Sequence, residues 1–280
     1  MSKRYVLLTG AAGGIGRVAI DSLVARGFSV FAAARPGSSF NSLAGIHPDV
    51  IPVTLDLAEE ASINAAVDAI QQHMGSGATL YALINNAALD YNGPLRYLDT
   101  KLIRSMIQVN LLGTTLMTRA VLPLMARGSR IMFVGSAMGL LAVPTVSVYA
   151  STKWAMEGLT DALRLELGLE GIDVVMIEPG VVQTPMTANA PAILDNVLAG
   201  MDANGRTTYE PLMRKIVKMS ASPGAGVTAQ AVADVIANVA AHERPRTRYR
   251  VGTDARSVGF IRLLPDRVRD FLQRKGLGLS

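Results

Sequence analysis

The chain has 280 residues, half of them apolar and 18% charged, which predicts a globular protein with a sizeable core and excludes a disordered or fibrous polymer. It contains no cysteine, so disulfide frameworks, zinc–thiolate sites and iron–sulfur clusters are excluded. Of the net charge of +5, the excess lies at the end: residues 241–280 hold ten Lys or Arg against four Asp or Glu, and the rest is near neutral. This distribution predicts that the protein binds no nucleic acid.

Apolar runs rich in β-branched residues alternate with longer stretches of helical periodicity. The runs predict strands that begin at Tyr5, Phe28, Val50, Leu80, Arg130 and Ile172, and a last strand at 248–251. The longer stretches predict helices at 14–26, 59–73, 99–127 and 148–169, with another from about residue 228. Such alternation is typical of a parallel sheet with helices on both faces. The sequence therefore predicts the α/β class, as a single-domain, doubly wound, Rossmann-like sheet over residues 1–280.

Two late segments depart from this alternation. Residues 185–227 are rich in Met and Pro, and a Met-bearing insertion beside the sheet predicts a substrate lid, with an ordinary surface excursion as the alternative. Residues 255–280 form a basic extension in which apolar and cationic residues interleave, so it either packs on the protein or touches an anionic membrane surface weakly. No run approaches the ~18 apolar residues of a spanning helix, and we expect a cytoplasmic protein.

The first strand leads directly into the glycine-rich stretch 9–16 and then into a helix. Glycine lets the backbone turn sharply and lets a pyrophosphate approach, and the helix N-terminus offers unpaired N–H groups. This context predicts a dinucleotide site formed by Gly10, Gly14, Ile15 and Gly16. The second strand ends in Ala33-Ala34-Arg35, without the acid that binds the ribose of NAD(H). Arg35 is instead suited to the 2'-phosphate of NADP(H), the cofactor that we predict.

Tyr149 and Lys153 are separated by one helical turn, so both side chains leave the same face. A phenol has a reference pKa near ~10, and a neighbouring ammonium lowers the pKa by stabilising the phenolate. Tyr149 can then protonate an alkoxide or deprotonate an alcohol. Ser136 closes a strand thirteen residues earlier and can hydrogen-bond the substrate oxygen.

In their order along the chain, these features resemble the short-chain dehydrogenase/reductase family, with its TGxxxGxG loop, NNAG motif, Ser and Tyr-xxx-Lys pair. The resemblance covers about residues 4 to 185. It implies four catalytic residues, Asn110, Ser136, Tyr149 and Lys153, with Asn110 shaping its helix and holding a water that links Lys153 to solvent. It also implies hydride transfer between NADP(H) and an alcohol or ketone carbon, and a homodimer or homotetramer.

The resemblance implies further cofactor contacts. Asp56 and Leu57 follow the third strand, where the acid meets the adenine amino group. The remaining contacts come from Asn86, Ala87, Tyr149, Lys153, Pro179, Gly180, Val182 and Thr184. At position 88 an alanine replaces the last glycine of the NNAG motif, adding a methyl where the backbone approaches the cofactor.

The stretch 137–146 borders the substrate and carries no charge. An apolar wall favours a lipophilic substrate, because a charged one would lose hydration without gaining a partner. Gly139, Leu140 and Pro144 resemble family members that act on steroids and retinoids. We predict that the substrate is bound by Ser136, Met138, Leu141, Val143, Tyr149 and Met186.

Two other functions stay open on the sequence. An extended-type epimerase or dehydratase shares the Tyr–Lys pair, although the spacing of the glycine loop argues against it. A non-catalytic regulator that senses NADP(H) would commonly lack the Tyr or the Lys. The histidines show no metal-ligand spacing, so we predict no metal site.

Overall fold

The computed structural model describes residues 3–220, 222 and 226–279, without the side chains of residues 38, 39, 185 and 186. The strands are β1 (Arg4–Thr9), β2 (Phe28–Ala34), β3 (Val50–Thr54), β4 (Leu80–Asn85), β5 (Arg130–Val134), β6 (Asp173–Pro179), β7 (Val182–Gln183), β8 (Val227–Thr228) and β9 (Arg248–Val251). Over the described residues, seven of them pair in parallel in the order β3-β2-β1-β4-β5-β6-β9, and β7 pairs separately with β8. This confirms the predicted doubly wound sheet; the first strand begins one residue earlier and the sixth one residue later than predicted.

The helices cover the connections between the strands. They are α1 (Gly14–Val24), α2 (Ser38–Asn41), α3 (Glu60–Met74), α4 (Thr100–Ile107), α5 (Thr114–Val121), α6 (Ser147–Gly168), α7 (Pro185–Ala188), α8 (Ala190–Ala199), α9 (Ala203–Ser220), α10 (Ala229–Ala241), α11 (Thr253–Ile261) and α12 (Asp266–Leu277). Among the described residues, no helix combines the length and the apolar character needed to cross a bilayer.

Two apolar layers enclose the sheet, because successive residues of a strand point to opposite faces. In β1, Val6 and Leu8 pack in one layer with residues of α1 and α10. Leu7 lies in the other layer, with residues of α3, α5 and α6. Burial on both faces explains why the strands read as continuous apolar runs.

The predicted continuous helix over 99–127 is wrong. A π-helical turn, Gln108–Gly113, separates α4 from α5, and the Thr114 hydroxyl donates to the carbonyl of Val109, five residues earlier, at 3.1 Å. The turn passes the loop after β3 so closely that a Cβ on Gly113 would lie 2.0 Å from the carbonyl oxygen of Leu57. The helix is therefore distorted where it carries Asn110, as is frequent for π-turns at functional sites.

The described part of 185–227 forms three helices, α7, α8 and α9. The latter two share a small core of their own, made of Leu194, Leu198, Met201 and Met213. Beyond β9, α11 and α12 leave Phe260 and Phe271 exposed, at 73% and 63%. The lid and the membrane contact stay predictions.

Candidate active site

The predicted site residues follow the carboxyl ends of neighbouring strands. The glycine loop follows β1, Asn86 follows β4, Ser136 follows β5, and Gly180 follows β6. The strand order reverses between β1 and β4, which is where open α/β sheets leave a crevice for a ligand. The fold thus brings these residues to one edge.

The glycine loop has no room for side chains at two positions. Gly10 has φ of +65°, and a Cβ there would lie 2.8 Å from the Cα of Ala87. A Cβ on Gly16 would lie 2.2 Å from the Gly10 carbonyl oxygen. Gly13 precedes α1 and makes no side-chain capping bond. The first backbone N–H groups of α1 therefore remain available to bind an anion.

Thr9 and Asn86 hold this loop in place. The Thr9 hydroxyl accepts from the backbone N–H groups of Asn86 and Ala87 at 3.0 and 3.1 Å. The Asn86 amide in turn donates to the carbonyls of Thr9 and Gly10 at 3.0 and 3.2 Å. Sequence reasoning missed the role of Thr9, although it opens the glycine motif. A contact of Asn86 with the cofactor stays a prediction.

At the end of β2, Arg35 is exposed, and no hydrogen bond or ion pair joins it to another described residue. Asp56 accepts from the Ala58 N–H at 2.9 Å through its Oδ1, which organises the turn before α3. Leu57 is buried. Three features of this edge fit a dinucleotide with a 2'-phosphate. They are the unpaired N–H groups at the start of α1, the positions where only glycine fits, and a guanidinium that bonds no other described residue.

The stretch after β6 is fixed by Asp254, a residue that sequence reasoning missed. Asp254 Oδ2 accepts from the Val181 N–H at 2.7 Å, and a Cβ on Gly180 would lie 2.0 Å from the same carboxylate. Val182 pairs with Val227, and the Thr184 N–H donates to Thr187 Oγ1 at 2.9 Å. Asp254 lies two residues after Gly252 and belongs to no recognised motif. Nothing in the sequence therefore indicated its role.

Ser136, Tyr149 and Lys153 lie together. The Ser136 hydroxyl lies close enough to the Tyr149 phenol to lower its pKa, and it accepts from the Met138 N–H at 3.1 Å. Lys153 Nζ lies 5.7 Å from the centroid of the Tyr149 ring and donates to the Val134 carbonyl at 2.9 Å. A hydroxyl pair beside a buried ammonium can hold one carbonyl oxygen and deliver a proton to it.

Asn110 connects this group to the loop after β4. Its Oδ1 accepts from the Leu89 N–H at 2.7 Å, and its Nδ2 donates to the Leu89 carbonyl at 2.8 Å. Nδ2 also donates to Thr152 Oγ1 on α6 at 3.1 Å. The side chain therefore clamps the backbone beside the site; the water assigned to Asn110 stays a prediction.

The pKa of Tyr149 differs from the expectation that the ammonium of Lys153 lowers it. Burial raises the pKa of Tyr149 above its usual value and the charge of Asp90 raises it further, while the bond to Ser136 lowers it. Burial lowers the pKa of Lys153 to about 8, against the opposing charges of Asp90 and Glu157. Burial and the charge of Asp90 therefore outweigh the lowering by Ser136, and the pKa of the phenol lies above its ordinary value rather than below it.

Asp90 is the charged residue that the sequence analysis overlooked. It lies two residues beyond Ala88, the end of the Asn-Asn-Ala-Ala motif, and beside Asn92, which lowers its pKa. Its Oδ1 is buried and has no hydrogen-bond partner among the described residues. The stretch 137–146 is uncharged, but the loop after β4 adds a carboxylate close enough to act on Tyr149 and Lys153.

The predicted substrate residues follow Ser136. Leu141 is buried, and Met138 and Val143 are half-buried. The side chain of Met186 lies outside the described residues. Their contact with substrate stays a prediction.

A second cluster of charges lies beside the site. Glu178 of β6 is fully buried and accepts from Arg248 at 2.9 Å and from Arg250 at 3.0 Å. Arg248 also donates to Glu157, one turn beyond Lys153, and to Asp161. Burial, as the largest cause, raises the pKa of Glu157 to about 7.

Comparison with known proteins places this geometry in context. A family model described as short chain dehydrogenase matches residues 4–193. A 3-amino-tetrahydro-pyrrolizinone reductase of Xenorhabdus hominickii is 32% identical, over 92% of this chain and 90% of its own length. An NADPH-dependent 3-dehydrocapnine reductase of Ornithobacterium rhinotracheale is 26% identical, over 98% and 97%.

Two further proteins extend the comparison. Human 17-beta-hydroxysteroid dehydrogenase type 6 is 30% identical, over 97% of this chain and 88% of its own length. The crystal structure of a short chain dehydrogenase from Burkholderia cenocepacia J2315 in complex with NADP has a TM-score of 0.71 and 27% identity, over 91% of this chain and 98% of that one.

Proposed function

The chain belongs to the short-chain dehydrogenase/reductase family and is an oxidoreductase of that type, and from this premise we propose that it interconverts a ketone and an alcohol with NADP(H). The observation that carries the proposal is that Tyr149 lies beside Ser136, which lowers the pKa of the phenol, and beside Lys153, whose Nζ is 5.7 Å from the centroid of the ring, at the sheet edge that also holds the glycine loop. Bound NADP(H) supplies the hydride in reduction and accepts it in oxidation.

Tyr149 exchanges the proton with the substrate oxygen. Because its pKa is raised, the phenol is protonated at neutral pH, which is the state that ketone reduction requires. Ser136 holds the same oxygen and polarises the carbonyl. Lys153, with a pKa of about 8, gains and loses a proton near neutral pH and so can help to restore the phenol. Asn110 positions the loop after β4.

NADP(H) is favoured over NAD(H) by the chemistry at the end of β2. Arg35 offers a guanidinium that pairs with no other described residue, and Ala34 offers no carboxylate to repel a 2'-phosphate. One relative is named as NADPH-dependent, and one similar structure is a complex with NADP. The residues that we propose to hold the cofactor are Gly10, Gly14, Ile15, Gly16, Arg35, Asp56, Leu57, Asn86, Ala87, Tyr149, Lys153, Pro179, Gly180, Val182 and Thr184.

The substrate that we propose is largely apolar. The buried Leu140 and Leu141 and the half-buried Met138 and Val143 supply an uncharged wall beside Ser136. A steroid dehydrogenase is among the relatives, and another relative is named as a 3-amino-tetrahydro-pyrrolizinone reductase. We propose that 185–227 covers this substrate as a lid.

We further propose a homodimer or homotetramer, as the family resemblance implies. The outer faces of the helices around α4–α6 expose apolar side chains: Ile107, Leu112, Leu165 and Leu169. A neighbouring copy would remove this apolar surface from water.

The test is to incubate the purified protein with NADPH or NADH and a panel of lipophilic ketones, following the absorbance of the reduced nicotinamide. We expect oxidation of NADPH that depends on the ketone and is much slower with NADH. An epimerase or dehydratase would convert substrate with no net change in cofactor. A regulator would bind NADPH and turn nothing over; either result would overturn the proposal.

A further inference from the structure

The last two helices expose a row of large apolar side chains, which we call the C-terminal apolar face. Its members recur three and four residues apart, a spacing that places them on one side of a helix. They are Phe260, Leu263 and Leu264 at and after the end of α11, and Val268, Phe271 and Leu272 in α12. Exposed apolar residues that are grouped in this way, rather than scattered singly, commonly mark a surface that meets a partner.

The helix α12 turns its more polar side toward the protein. Its half-buried residues are Arg269, Gln273 and Leu277, which follow one another at intervals of four, and the helix contacts α9. None of its residues is buried, and its three members of the C-terminal apolar face lie on the other side of the helix. A helix that packs on its own protein normally does so with its apolar side. The arrangement of α12 is the reverse, so packing on the protein does not account for its apolar side chains.

The same segment is basic. Residues 256–275 contain six Arg or Lys against two Asp, and no Glu. One of the two acids, Asp266, already pairs with Arg269. The exposed side chains of Arg267 and Lys275 make no hydrogen bond or ion pair with any other residue that the structure describes. Apolar side chains flanked by such cations fit a partner that offers negative charge and an apolar interior together.

The C-terminal helices adjoin the candidate active site. The helix α11 follows the carboxyl end of β9 and contacts residues 137–139, which come directly after Ser136. Between the two helices, the guanidinium carbon of Arg262 lies 5.1 Å from the centroid of the Trp154 ring. Trp154 is the neighbour of Lys153 in α6. A partner bound to these helices would therefore lie beside the stretch that we propose to border an apolar substrate.

We propose that the C-terminal apolar face docks on an anionic phospholipid bilayer. The apolar side chains enter the interface, and the flanking cations meet the lipid phosphates. A second copy of the chain fits this face less well, because a two-fold interface would bring the same cations of both copies together. A bilayer is also the phase in which the apolar substrate that we propose would dissolve. The inference goes beyond the proposed function, and because its test involves no turnover, either one can fail without the other.

The test measures sedimentation of the full-length protein with two kinds of vesicle. One kind contains phosphatidylcholine and phosphatidylglycerol in equal parts, and the other contains phosphatidylcholine alone. We expect the wild-type protein to sediment with the anionic vesicles and much less with the neutral ones. Raised salt should weaken the binding, because it screens the cations from the lipid phosphates.

A pair of charge variants locates the cations that matter. Arg267→Gln combined with Lys275→Gln should weaken binding to the anionic vesicles by about ten-fold to thirty-fold, as expected for two cations at an anionic surface. Arg244→Gln combined with Arg246→Gln is the matched control, because it removes two exposed arginines at the other end of β9. The control should stay within about two-fold of wild type. Circular dichroism of each variant checks that it folds.

The apolar contribution is tested without changing any charge. Phe260→Gln combined with Phe271→Gln should weaken binding by about ten-fold or more, because two aromatic side chains are no longer removed from water. The chain has one Trp, Trp154, so Phe271→Trp adds a second fluorophore on the proposed docking face. Vesicles whose acyl chains carry bromine should quench the fluorescence of this variant more than that of the wild type.

Three results would overturn the inference. The first is wild-type protein that sediments equally with both kinds of vesicle, or with neither. The second is an equal loss of binding in the two charge variants, since binding would then depend on total charge rather than on this face. The third is bromine quenching of Phe271→Trp no greater than in the wild type. If the double Phe variant instead changed the oligomeric state in light scattering and no vesicles were bound, the face would be an interface between copies.

Discussion

The charged residues around the candidate site fall into two groups, which differ in how far their bonds are completed within the protein. In the closed network, Glu157, Glu178 and Asp161 all accept from Arg248, and Glu178 also accepts from Arg250. In the open site, Arg35 lacks an ionic partner and Asp90 keeps an unsatisfied oxygen, within the described residues. Charges of the first kind join strands and helices, although Glu157 keeps one buried oxygen, Oε1, without a partner among the described residues. Charges of the second kind make few bonds within the protein.

The closed network should contribute to stability, and the open site should contribute to function. The closed network ties β6, β9 and α6 together, so removing a member leaves buried charges without compensation. The open site carries polar groups whose bonds are incomplete in the protein itself, so removing one of them should affect binding or turnover more than folding. Substitutions in the two groups should therefore move different observables.

Lys153→Ala should have the largest effect. It removes the ammonium beside Tyr149 and a predicted cofactor contact, so we expect kcat/KM to fall by about a thousand-fold and the affinity for NADPH to fall with it. Steady-state kinetics and fluorescence titration with NADPH check both. Reduced catalysis with unchanged cofactor affinity would remove Lys153 from the cofactor site.

Arg248→Met should chiefly lower stability. Glu178 and Glu157 would lose their shared partner inside the protein, at a cost of about 3 kcal/mol in the free energy of unfolding, measured by urea denaturation. Arg214→Met is the matched control, because Arg214 pairs with Glu210 on the exposed surface of α9, where solvent screens the pair, and its loss should change that free energy much less. Similar losses in the free energy of unfolding for Arg248→Met and Arg214→Met would show that the closed network stabilises the fold no more than an exposed ion pair does.

Arg35→Ala should act on binding alone. The affinity for NADPH should fall by about ten-fold to a hundred-fold, because one guanidinium–phosphate contact is lost, and the affinity for NADH should change little. Ala34→Asp with Arg35→Leu should move the preference toward NADH. As a control, Arg17→Ala removes an arginine that pairs with Asp21. Equal weakening of both cofactors by Arg35→Ala would mean that Arg35 supports the loop rather than reads the phosphate.

Asp90→Asn should have the smallest effect, a change in the pH dependence of stability. Burial raises the pKa of Asp90 from 3.8 to about 6, so between these values the unfolded chain is ionised while the folded chain holds a proton. By linkage, Asp90 reduces wild-type stability as pH rises through this window, and the reduction is complete above it. Lys153 and Tyr149 are the titratable groups that face it.

The asparagine variant lacks this penalty. Its melting temperature relative to wild type should therefore be higher at neutral pH than at about pH 4, by about 2 to 4 °C for each kcal/mol removed. Thermal unfolding at the two values checks the sign. A difference that was constant with pH would show that Asp90 has no raised pKa.

The sheet could be predicted from the sequence because its signals are local. The strand from Phe28 is buried along its whole length, and such apolar runs between helical stretches define a parallel sheet. The interruption at Gln108–Gly113 could not be predicted, since it depends on the approach of the Leu57 carbonyl from a distant loop. Hydrophobic periodicity indicates that a segment is helical on average, and it does not reveal a local change in helix type.

The glycine loop and the Ser136–Tyr149–Lys153 group could be found by their motifs, and the structure brings them to one edge. Asp90, Asp254 and Arg248 could not, because each acts through a partner far along the chain. Asp254 bonds Val181, 73 residues away, and Arg248 bonds Glu157, 91 residues away. A carboxylate in an unremarkable loop gives no sign of its burial, and burial is what changes its chemistry.

The central claim, that Tyr149 passes a proton to the substrate during NADP(H)-linked hydride transfer, is tested most directly with Tyr149→Phe. Turnover and NADPH affinity are measured on the same preparation at neutral pH. We expect turnover to fall by about a hundred-fold or more, with the dissociation constant for NADPH within a few-fold of wild type, because the variant loses the proton donor and little cofactor contact. Substantial residual turnover at neutral pH would contradict the account.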